Sequence, residues 1–305
     1  MNYKQLLKKL KHYKKDYNVK VIGKTYFKRK IFAVERNLNK NFATAIFVSS
    51  IHARENIATD LVCKMIDEGL FDKIKDFNLS FVLMANPDGV ELCLNGIKSV
   101  PLKNRKRLIK INQGSKNFKL WKANGRGVDL NNNFDARFKM NINSEMPSSS
   151  GFVGKYFESE KETQALVRYL KIKNPFFVIA YHTKGEEIYY NFFQDEFRLE
   201  RDRIIAERFA KLTGYIIKNP EKISSGGLKD YCVMRLKIPS LTIELAGDDL
   251  IHPITKNELK DIFERHKTIA KDLLFAYNVF KDFKKNYGIW RKIYEKGVAF
   301  SKQSL

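Results

Sequence analysis

The chain has 305 residues, a mass of 35.7 kDa, and 44% hydrophobic and 13% aromatic residues, which is enough apolar material for a packed core and excludes a disordered chain. Lys and Arg number 57 against 34 Asp and Glu, and the resulting formal charge of +23 favours anionic partners without bearing on the fold. The three cysteines, Cys63, Cys93 and Cys232, form no CxxC pair, which argues against a disulfide framework.

The N-terminal segment carries lysines but lacks the apolar stretch of a signal peptide. No part of the sequence approaches the run of about 18 apolar residues that a transmembrane helix needs. From these features we expect a soluble protein that resides in the cytoplasm.

The first third of the sequence is predicted to alternate helices and strands. Residues 2–17 place Leu and Tyr at helical spacing, which predicts an amphipathic helix. Strands are predicted at residues 19–22, 30–34, 43–50 and 80–85, and a second helix at residues 57–68. The last two of these strands are apolar on both faces, as expected of strands that helices cover on both sides.

The rest of the chain continues this alternation after an irregular region. Asn86-Pro87-Asp88-Gly89 predicts a turn, and the basic residues 97–127 predict a long loop. The helix predicted over residues 159–173 starts with a capping-box pattern, SEKE. Further strands are predicted at residues 176–181 and 240–245, helices at residues 195–212, 228–236 and 258–279, and a basic C-terminal tail at residues 281–305.

Strands that alternate with helices predict an α/β fold, with a mixed or mostly parallel sheet between helical layers. Because no stretch has the composition of a linker, we expect one domain over residues 1–305, with a core from about residue 15 to about residue 280. Ligand sites of such sheets gather at the carboxyl ends of the strands, so the polar residues that follow the apolar strands are the candidates for a site.

Three strands or strand ends supply side chains that suit a metal site. His52 and Glu55 follow the strand predicted at residues 43–50, and His182 follows the strand at residues 176–181. Two imidazoles and one carboxylate leave a fourth position for water, which is typical of catalytic zinc. Glu244 lies between apolar residues on a predicted buried strand, and we expect it to act as the general base.

Each of these signals is weak when it is taken alone. An HxxE spacing arises by chance in many chains, His182 could be a hydrogen-bonded core histidine, and Glu244 could be a paired buried carboxylate. Their joint position at the ends of three predicted strands favours a site over these alternatives.

Several motifs, in order along the chain, resemble the zinc carboxypeptidase A/B family over about residues 15–275. They are His52-Ala53-Arg54-Glu55, NPDG at 86–89, GVDLN at 127–131, His182, Gly226-Gly227 and TIE at 242–244. The resemblance implies a three-layer α/β/α sandwich around a mixed, mostly parallel eight-stranded sheet. It also implies one Zn²⁺ per chain held by His52, Glu55 and His182, with Glu244 as general base and acid and Asp129 orienting the first zinc histidine.

Within the family, residues 121–131 (WKANGRGVDLN) and 182–190 (HTKGEEIYY) are similar to the bacterial γ-D-glutamyl-diamino-acid peptidases, which cut peptidoglycan stem peptides. This similarity implies a bacterial source and a carboxylate-rich substrate. Lys229 falls where the family places the residue at the base of the pocket that receives the substrate residue on the leaving side of the scissile bond. An ammonium there would attract a substrate carboxylate. The alternative is a surface lysine on a helix.

Other positions depart from the digestive carboxypeptidases. Asn131-Asn132 stands where those enzymes carry Asn-Arg, and an amide cannot replace the guanidinium that clamps a free C-terminus. We therefore expect cleavage inside a peptide, or docking of the substrate through Arg54 and Lys229. Arg54 and Asn131 are expected to hold substrate carboxylates, and Lys229 to select the side chain. Lys122 corresponds to the arginine that stabilises the developing oxyanion, and Arg126 is the competing candidate for this role.

Aromatic side chains could complete the substrate cleft. We expect Tyr189, with Tyr190 and Trp121, to form its wall, and plain core packing is the alternative. The tyrosine that caps the substrate elsewhere in the family would fall near Lys222, where no tyrosine stands, so this role is given to no residue.

Together these features predict a zinc metallopeptidase of carboxylate-rich peptides, with the γ-D-glutamyl-diamino-acid bond of peptidoglycan stem peptides as its expected target. One alternative is a metallocarboxypeptidase that removes C-terminal residues, including acidic ones, from ordinary peptides. A second alternative is a non-catalytic basic protein that binds nucleic acid, and the intact metal and base residues argue against it. The scissile bond, the oligomeric state, the function of residues 97–120 and the metal used in the cell stay open.

Overall fold

A central β-sheet organises the residues that the computed structural model describes, which are 1–140, 142–218 and 225–295, the last seven as backbone alone. Its strands are β1 (Asn18–Lys24), β2 (Lys30–Arg36), β3 (Thr44–Ser49), β4 (Asn78–Val82), β5 (Phe177–Thr183), β6 (Glu187–Tyr189), β7 (Ile216–Ile217) and β8 (Ser240–Leu245). The spatial order is β1-β2-β4-β3-β5-β8-β6-β7. The pairs β3–β4, β3–β5, β5–β8 and β6–β7 are parallel and the others are antiparallel, so the predicted mixed eight-stranded sheet is confirmed.

Helices cover both faces of this sheet. They are α1 (Tyr3–Tyr13), α2 (Ile57–Asp67), α3 (Pro87–Asn95), α4 (Leu102–Ile111), α5 (Lys161–Lys173), α6 (Glu196–Thr213), α7 (Leu228–Tyr231), α8 (Leu259–Glu264) and α9 (Ile269–Glu295). Among the described helices, none combines the length and the apolar character that crossing a membrane would require.

Alternate side chains of β3 enter two different apolar cores. Phe47 packs in one core with residues of α1, α2, α6, α8 and α9, whereas Ile46 and Val48 pack in the other with residues of α5 and α7. Every residue of β3 is buried, as its continuous apolar sequence predicts. The three-layer α/β/α sandwich is therefore confirmed.

Two segments predicted as turn and loop contain helices. The Asn86 side chain accepts a hydrogen bond from Gly89 N at 3.0 Å and caps α3, so the NPDG sequence starts a helix rather than a simple turn. The basic residues 97–127 contain α4, whose Leu108 packs with Phe118 and Trp121 in a small third core. Lysines and arginines occupy most of the other positions of α4, which hides its narrow apolar face from sequence analysis.

Other boundaries also differ from those predicted. The capping box expected at residues 159–173 is absent, because Ser159 Oγ donates a hydrogen bond to the Glu160 carboxylate and no side chain caps α5. The predicted helix 258–279 is divided into α8 and α9, and α9 continues into the predicted tail as far as Glu295. The remainder of that tail, residues 296–305, and Lys222 lie outside the described residues. The single-domain organisation stays a prediction.

Stability at neutral pH is expected to depend on Glu162, a fully buried residue in the first turn of α5. Burial raises its pKa from 4.5 to about 8, and the negative charge of Asp88 adds to the shift. A carboxyl whose pKa is raised on folding favours the folded state at low pH, and this advantage is lost as the pH rises from about 4.5 to about 8.

We therefore expect Glu162→Gln to match the wild type at pH 5 and to exceed its free energy of unfolding at pH 8.5 by on the order of a few kcal/mol. Urea unfolding at the two pH values measures the difference. Glu68→Gln, on the exposed end of α2, serves as the control and should leave the pH dependence unchanged. Equal pH slopes for Glu162→Gln and the wild type would contradict this account.

Candidate metal centre

The loop after β3 brings two side chains to the carboxyl edge of the sheet. Ala53 N donates to Lys122 O at 3.0 Å and Glu55 N donates to His52 O at 3.3 Å, so backbone hydrogen bonds hold the loop in place. His182 lies on β5 and Glu244 on β8, where the two residues pair directly in the parallel register. The strand topology thus places all four predicted residues at one edge.

His52, Glu55 and His182 converge on a common point. Glu55 Oε1 lies 2.8 Å from His52 Nδ1, and Glu55 Oε2 lies 3.0 Å from His182 Nδ1. The two Nδ1 atoms are also 3.0 Å apart, and all three side chains are buried. In the part of the chain that the structure describes, these residues form the group of His, Cys, Asp and Glu side chains that could hold a metal ion, with ligand atoms within 4.8 Å of one another.

The donor set suits zinc. Two imidazole nitrogens and one carboxylate are the protein ligands of many catalytic zinc sites, in which a fourth position is left for water or substrate. Two Nδ1 atoms that face each other at 3.0 Å, beside one carboxylate, form a cluster of electron-pair donors that a dication would stabilise. One zinc ion per chain therefore fits these residues.

Asp129 fixes the orientation of the first histidine. Its Oδ1 accepts a hydrogen bond from His52 Nε2 at 3.1 Å, and its Oδ2 accepts one from Gly151 N at 3.2 Å. Although burial acts to raise the pKa of Asp129, the positive charges of Lys122 and His52 lower it well below its usual range. The resulting carboxylate leaves His52 Nδ1 available as a metal ligand.

We expect Asp129→Asn to lower the zinc affinity by about 10- to 100-fold, because an amide holds the His52 ring less firmly and in either tautomer. Competition with a chromogenic chelator measures the affinity. Asp135→Asn is the matched control, since Asp135 pairs with Arg235 at 2.7 Å and takes no part in the centre. Unchanged zinc affinity in Asp129→Asn would show that this carboxylate does not support the ligand.

Glu244 stands beside the three candidate ligands without being one of them. Among the described residues, its Oε2 has no hydrogen-bond partner, and its side chain keeps some exposure to solvent. Burial raises the pKa of Glu244 to about 7; the His182 charge opposes this shift and the Glu55 charge adds to it. A carboxyl that titrates near neutral pH can accept and return a proton.

Of the two cations proposed to stabilise the oxyanion, Lys122 lies nearer to the metal centre than Arg126. Its Nζ lies 3.4 Å from Asp129 Oδ2. Burial acts to lower its pKa, but the charges of Asp129 and Glu55 outweigh burial and the pKa is raised, so the ammonium persists. Arg126 instead pairs with Glu160 at 3.3 Å. The geometry favours Lys122, and the role of each residue stays a prediction.

The predicted substrate-binding residues occupy varied environments. Arg54 lies on the loop after β3, between His52 and Glu55, and its Nη1 donates a hydrogen bond to Leu120 O at 3.5 Å. Asn131 Oδ1 accepts from Leu228 N at 3.0 Å, which ties it to the start of α7, and the neighbouring Asn132 amide lies 3.2 Å from Ser225 O. The substrate-binding roles of Arg54, Asn131 and Asn132 stay predictions.

Lys229 is buried rather than on the surface, with 10% of its side chain exposed. Its ammonium lies 2.6 Å from Asp230 Oδ1 and donates to Asn191 O at 2.7 Å. Tyr189, on β6, donates a hydrogen bond to the Glu187 carboxylate. Glu187 is the register partner of Glu244 in the antiparallel pairing of β6 with β8.

The two other aromatic residues expected in the cleft wall, Trp121 and Tyr190, lie in the apolar cores, as the alternative predicted.

His252 is a residue of the centre that sequence analysis overlooked. Burial and the positive charge of Arg54 lower its pKa to about 4, so the ring is neutral at neutral pH. The charges of Glu55 and His52 also act on it, so it lies within electrostatic range of the candidate ligands. Its Nδ1 has no hydrogen-bond partner among the described residues. No motif surrounds it, so only the three-dimensional structure associates it with the centre.

Comparison with known proteins agrees with this geometry. The family described as zinc carboxypeptidase matches residues 3–268. The gamma-D-glutamyl-L-diamino acid endopeptidase 1 of Lysinibacillus sphaericus is 29% identical over 239 residues, which cover 72% of this chain and 58% of that protein. The chain thus spans somewhat more than half the length of this relative.

Solved structures share the fold at low sequence identity. Bovine thrombin-activatable fibrinolysis inhibitor, in complex with tick carboxypeptidase inhibitor, is 18% identical with a TM-score of 0.71, and the match covers 92% of this chain and 96% of that one. The murein-tripeptide amidase MpaA from Escherichia coli O157 is 18% identical with a TM-score of 0.54, and the match covers 83% of this chain and 90% of that one.

Proposed function

The chain belongs to the zinc carboxypeptidase family, and from this membership we propose that it is a metallopeptidase that hydrolyses an amide bond in carboxylate-rich peptides. The observation that carries the proposal is the convergence of His52, Glu55 and His182 at the carboxyl edge of the sheet, with Glu244 beside them. A buried cluster of this kind is costly to fold unless an ion or a reaction uses it.

The chain's own residues supply the proton transfers and the charge stabilisation. Zinc, when it is bound by the three ligands, supplies a Lewis acid that polarises the substrate carbonyl and makes water more acidic. Glu244 accepts the proton of the attacking water and later passes it to the leaving amine, as its pKa of about 7 allows. Lys122 stabilises the negative charge on the carbonyl oxygen, and Asp129 keeps His52 in its ligating orientation.

We propose that the substrate is a stem peptide of peptidoglycan, cut at the γ-D-glutamyl-diamino-acid bond. The name of the Lysinibacillus sphaericus relative supports this choice. Asn132 supports it as well, because it replaces the arginine that would clamp a free C-terminus. Lys229 is the candidate cation for the second carboxylate of a diamino acid such as diaminopimelate, and binding that carboxylate would require its ammonium to exchange the 2.6 Å contact with Asp230.

A panel of three substrates tests the proposal. We expect cleavage of L-Ala-γ-D-Glu-diaminopimelate at the γ-D-glutamyl bond, and much slower cleavage of hippuryl amino acids of the kind used for digestive carboxypeptidases. An amidated form of the stem peptide should still be cleaved, because Asn132 makes no ionic contact with a C-terminus. Cleavage of the hippuryl substrates alone would refute the stem-peptide assignment.

The carboxypeptidase alternative predicts a different result with the same panel. It requires a free C-terminal carboxylate, so it predicts that amidation abolishes cleavage. The cytoplasmic location stays a prediction, which cell fractionation would test.

A further inference from the structure

One stretch of the chain carries many cationic residues and no acidic residue. Residues 97–128, called the basic segment here, contain ten Lys and Arg and no Asp or Glu, and so account for +10 of the formal charge of +23. The segment includes α4 and ends at the residue before Asp129, which supports the candidate zinc ligand His52.

A cavity of about 780 Å³ lies against this segment. Four cationic side chains line it: Arg107 and Arg126 from the basic segment, and Lys139 and Lys155 from the loop that follows. Tyr156 and Phe152 add aromatic surface. The volume is that of a site for a ligand of several residues or sugar units. None of the proposed metal, base or oxyanion residues other than Arg126 lines this cavity, so it is separate from the centre described above.

The cationic wall is held in position by a buried carboxylate. Glu160 is 2% exposed, and its oxygens accept hydrogen bonds from Asn124 at 2.8 Å and from Ser159 at 3.0 Å. Arg126 pairs with the same carboxylate at 3.3 Å, and Arg107 Nη2 donates to Arg126 O at 3.0 Å. These contacts fix the two guanidinium side chains before a ligand arrives, which lowers the entropic cost of binding.

The charges around the cavity do not cancel. The Glu160 carboxylate accepts hydrogen bonds from Asn124 and Ser159 and pairs with Arg126. The other carboxylate that lines the cavity is Glu145. In the described part of the chain, Arg107, Lys139 and Lys155 form no ion pair with an acidic residue of the protein. Exposed cations that no acid neutralises attract a ligand that brings its own negative charges.

We infer that this cavity binds carboxylates of a second peptide branch on the same polymer as the scissile peptide. The inference rests on the proposed function, because peptidoglycan strands carry repeated carboxylate-rich branches. A second contact on one polymer chain raises the effective concentration of the substrate at the metal centre without any new contact there.

The concave shape favours this ligand over nucleic acid. A duplex presents phosphates along a broad convex surface and is bound by extended faces or by helices in its grooves. Here two of the cations, Arg107 and Arg126, are turned into a cavity and held to each other and to Glu160. A compact branch with a few carboxylates matches this arrangement.

The test is a binding experiment on the variant Glu244→Gln, which is expected to bind substrate without turning it over. Titration calorimetry compares soluble peptidoglycan strands that carry several stem peptides with the single free stem peptide. In this background we expect Arg107→Glu/Lys155→Glu to weaken strand binding about tenfold more than peptide binding, and to reduce the salt dependence of strand binding. The milder Arg107→Gln/Lys155→Gln should give a smaller loss of the same kind if charge reversal disturbs folding.

Lys73→Glu/Lys75→Glu is the matched control, because it makes the same charge change at exposed positions of the loop before β4. It should leave the ratio of strand to peptide affinity unchanged. Equal losses for strand and peptide, or no loss for either, would overturn the inference. Binding of a DNA fragment as tight as that of the strands, with the same dependence on Arg107 and Lys155, would assign the cavity to nucleic acid instead. Failure of the wild type to cleave any stem peptide would contradict the proposed function, and strand binding would report on the cavity separately.

Discussion

Glu244→Gln is expected to retain one zinc ion per chain and to lower kcat by about 10²- to 10⁴-fold, the range typical of a lost general base. The amide keeps the size and polarity of the side chain but cannot accept the proton of the attacking water. Because Glu244 is not one of the three residues whose ligand atoms converge, its replacement should not release the metal. Metal analysis and steady-state kinetics on the same preparation measure both outcomes.

Glu186→Gln is the control for this substitution. Glu186 lies near the start of β6 and faces Arg265 at 3.5 Å, outside the metal centre. Its replacement should change kcat less than about twofold, because this half-buried pair with Arg265 contributes little to stability and holds none of the candidate ligands. A Glu244→Gln variant that keeps its zinc and turns over at the wild-type rate would remove Glu244 from the mechanism.

His182→Ala is expected to lose both zinc and activity. The substitution removes one of three ligands, and the loss of zinc affinity should exceed the 10- to 100-fold expected for the supporting residue Asp129. It also leaves Glu55 without its 3.0 Å contact to His182, so the carboxylate becomes less well held. Isothermal titration of the metal-free variant with zinc measures the affinity.

His12→Ala is the matched histidine control, because His12 is exposed on α1. It should bind zinc as the wild type does. Retention of zinc at wild-type affinity in His182→Ala would show that the metal is held elsewhere.

The strands that carry the centre could be predicted from sequence because burial leaves a simple pattern there. β3 and β5 are apolar on both faces, so each appears as a short apolar run, and the polar residues after such runs stand out. His52 and His182 were found in this way. β8 alternates polar and apolar residues, and Glu244 lies on its polar face. The convergence of their Nδ1 atoms with Glu55 follows from the parallel pairing of β3, β5 and β8.

The features that were missed depend on contacts between distant segments. α4 packs through Leu108 against residues that follow it by ten or more positions, so its cations dominate the sequence pattern. His252 comes from the segment after β8, and only the folded chain brings it within electrostatic range of Glu55 and His52. β6 and β7 have three and two residues, too short for an alternating pattern to appear.

Zinc titration of the chelator-stripped wild-type protein decides whether hydrolysis depends on a metal held by these three ligands. We expect stem-peptide hydrolysis to be absent in the metal-free protein and to rise linearly until one equivalent of zinc per chain has been added. Hydrolysis that survives complete removal of metal, or protein that binds no zinc at micromolar concentration, would contradict this expectation.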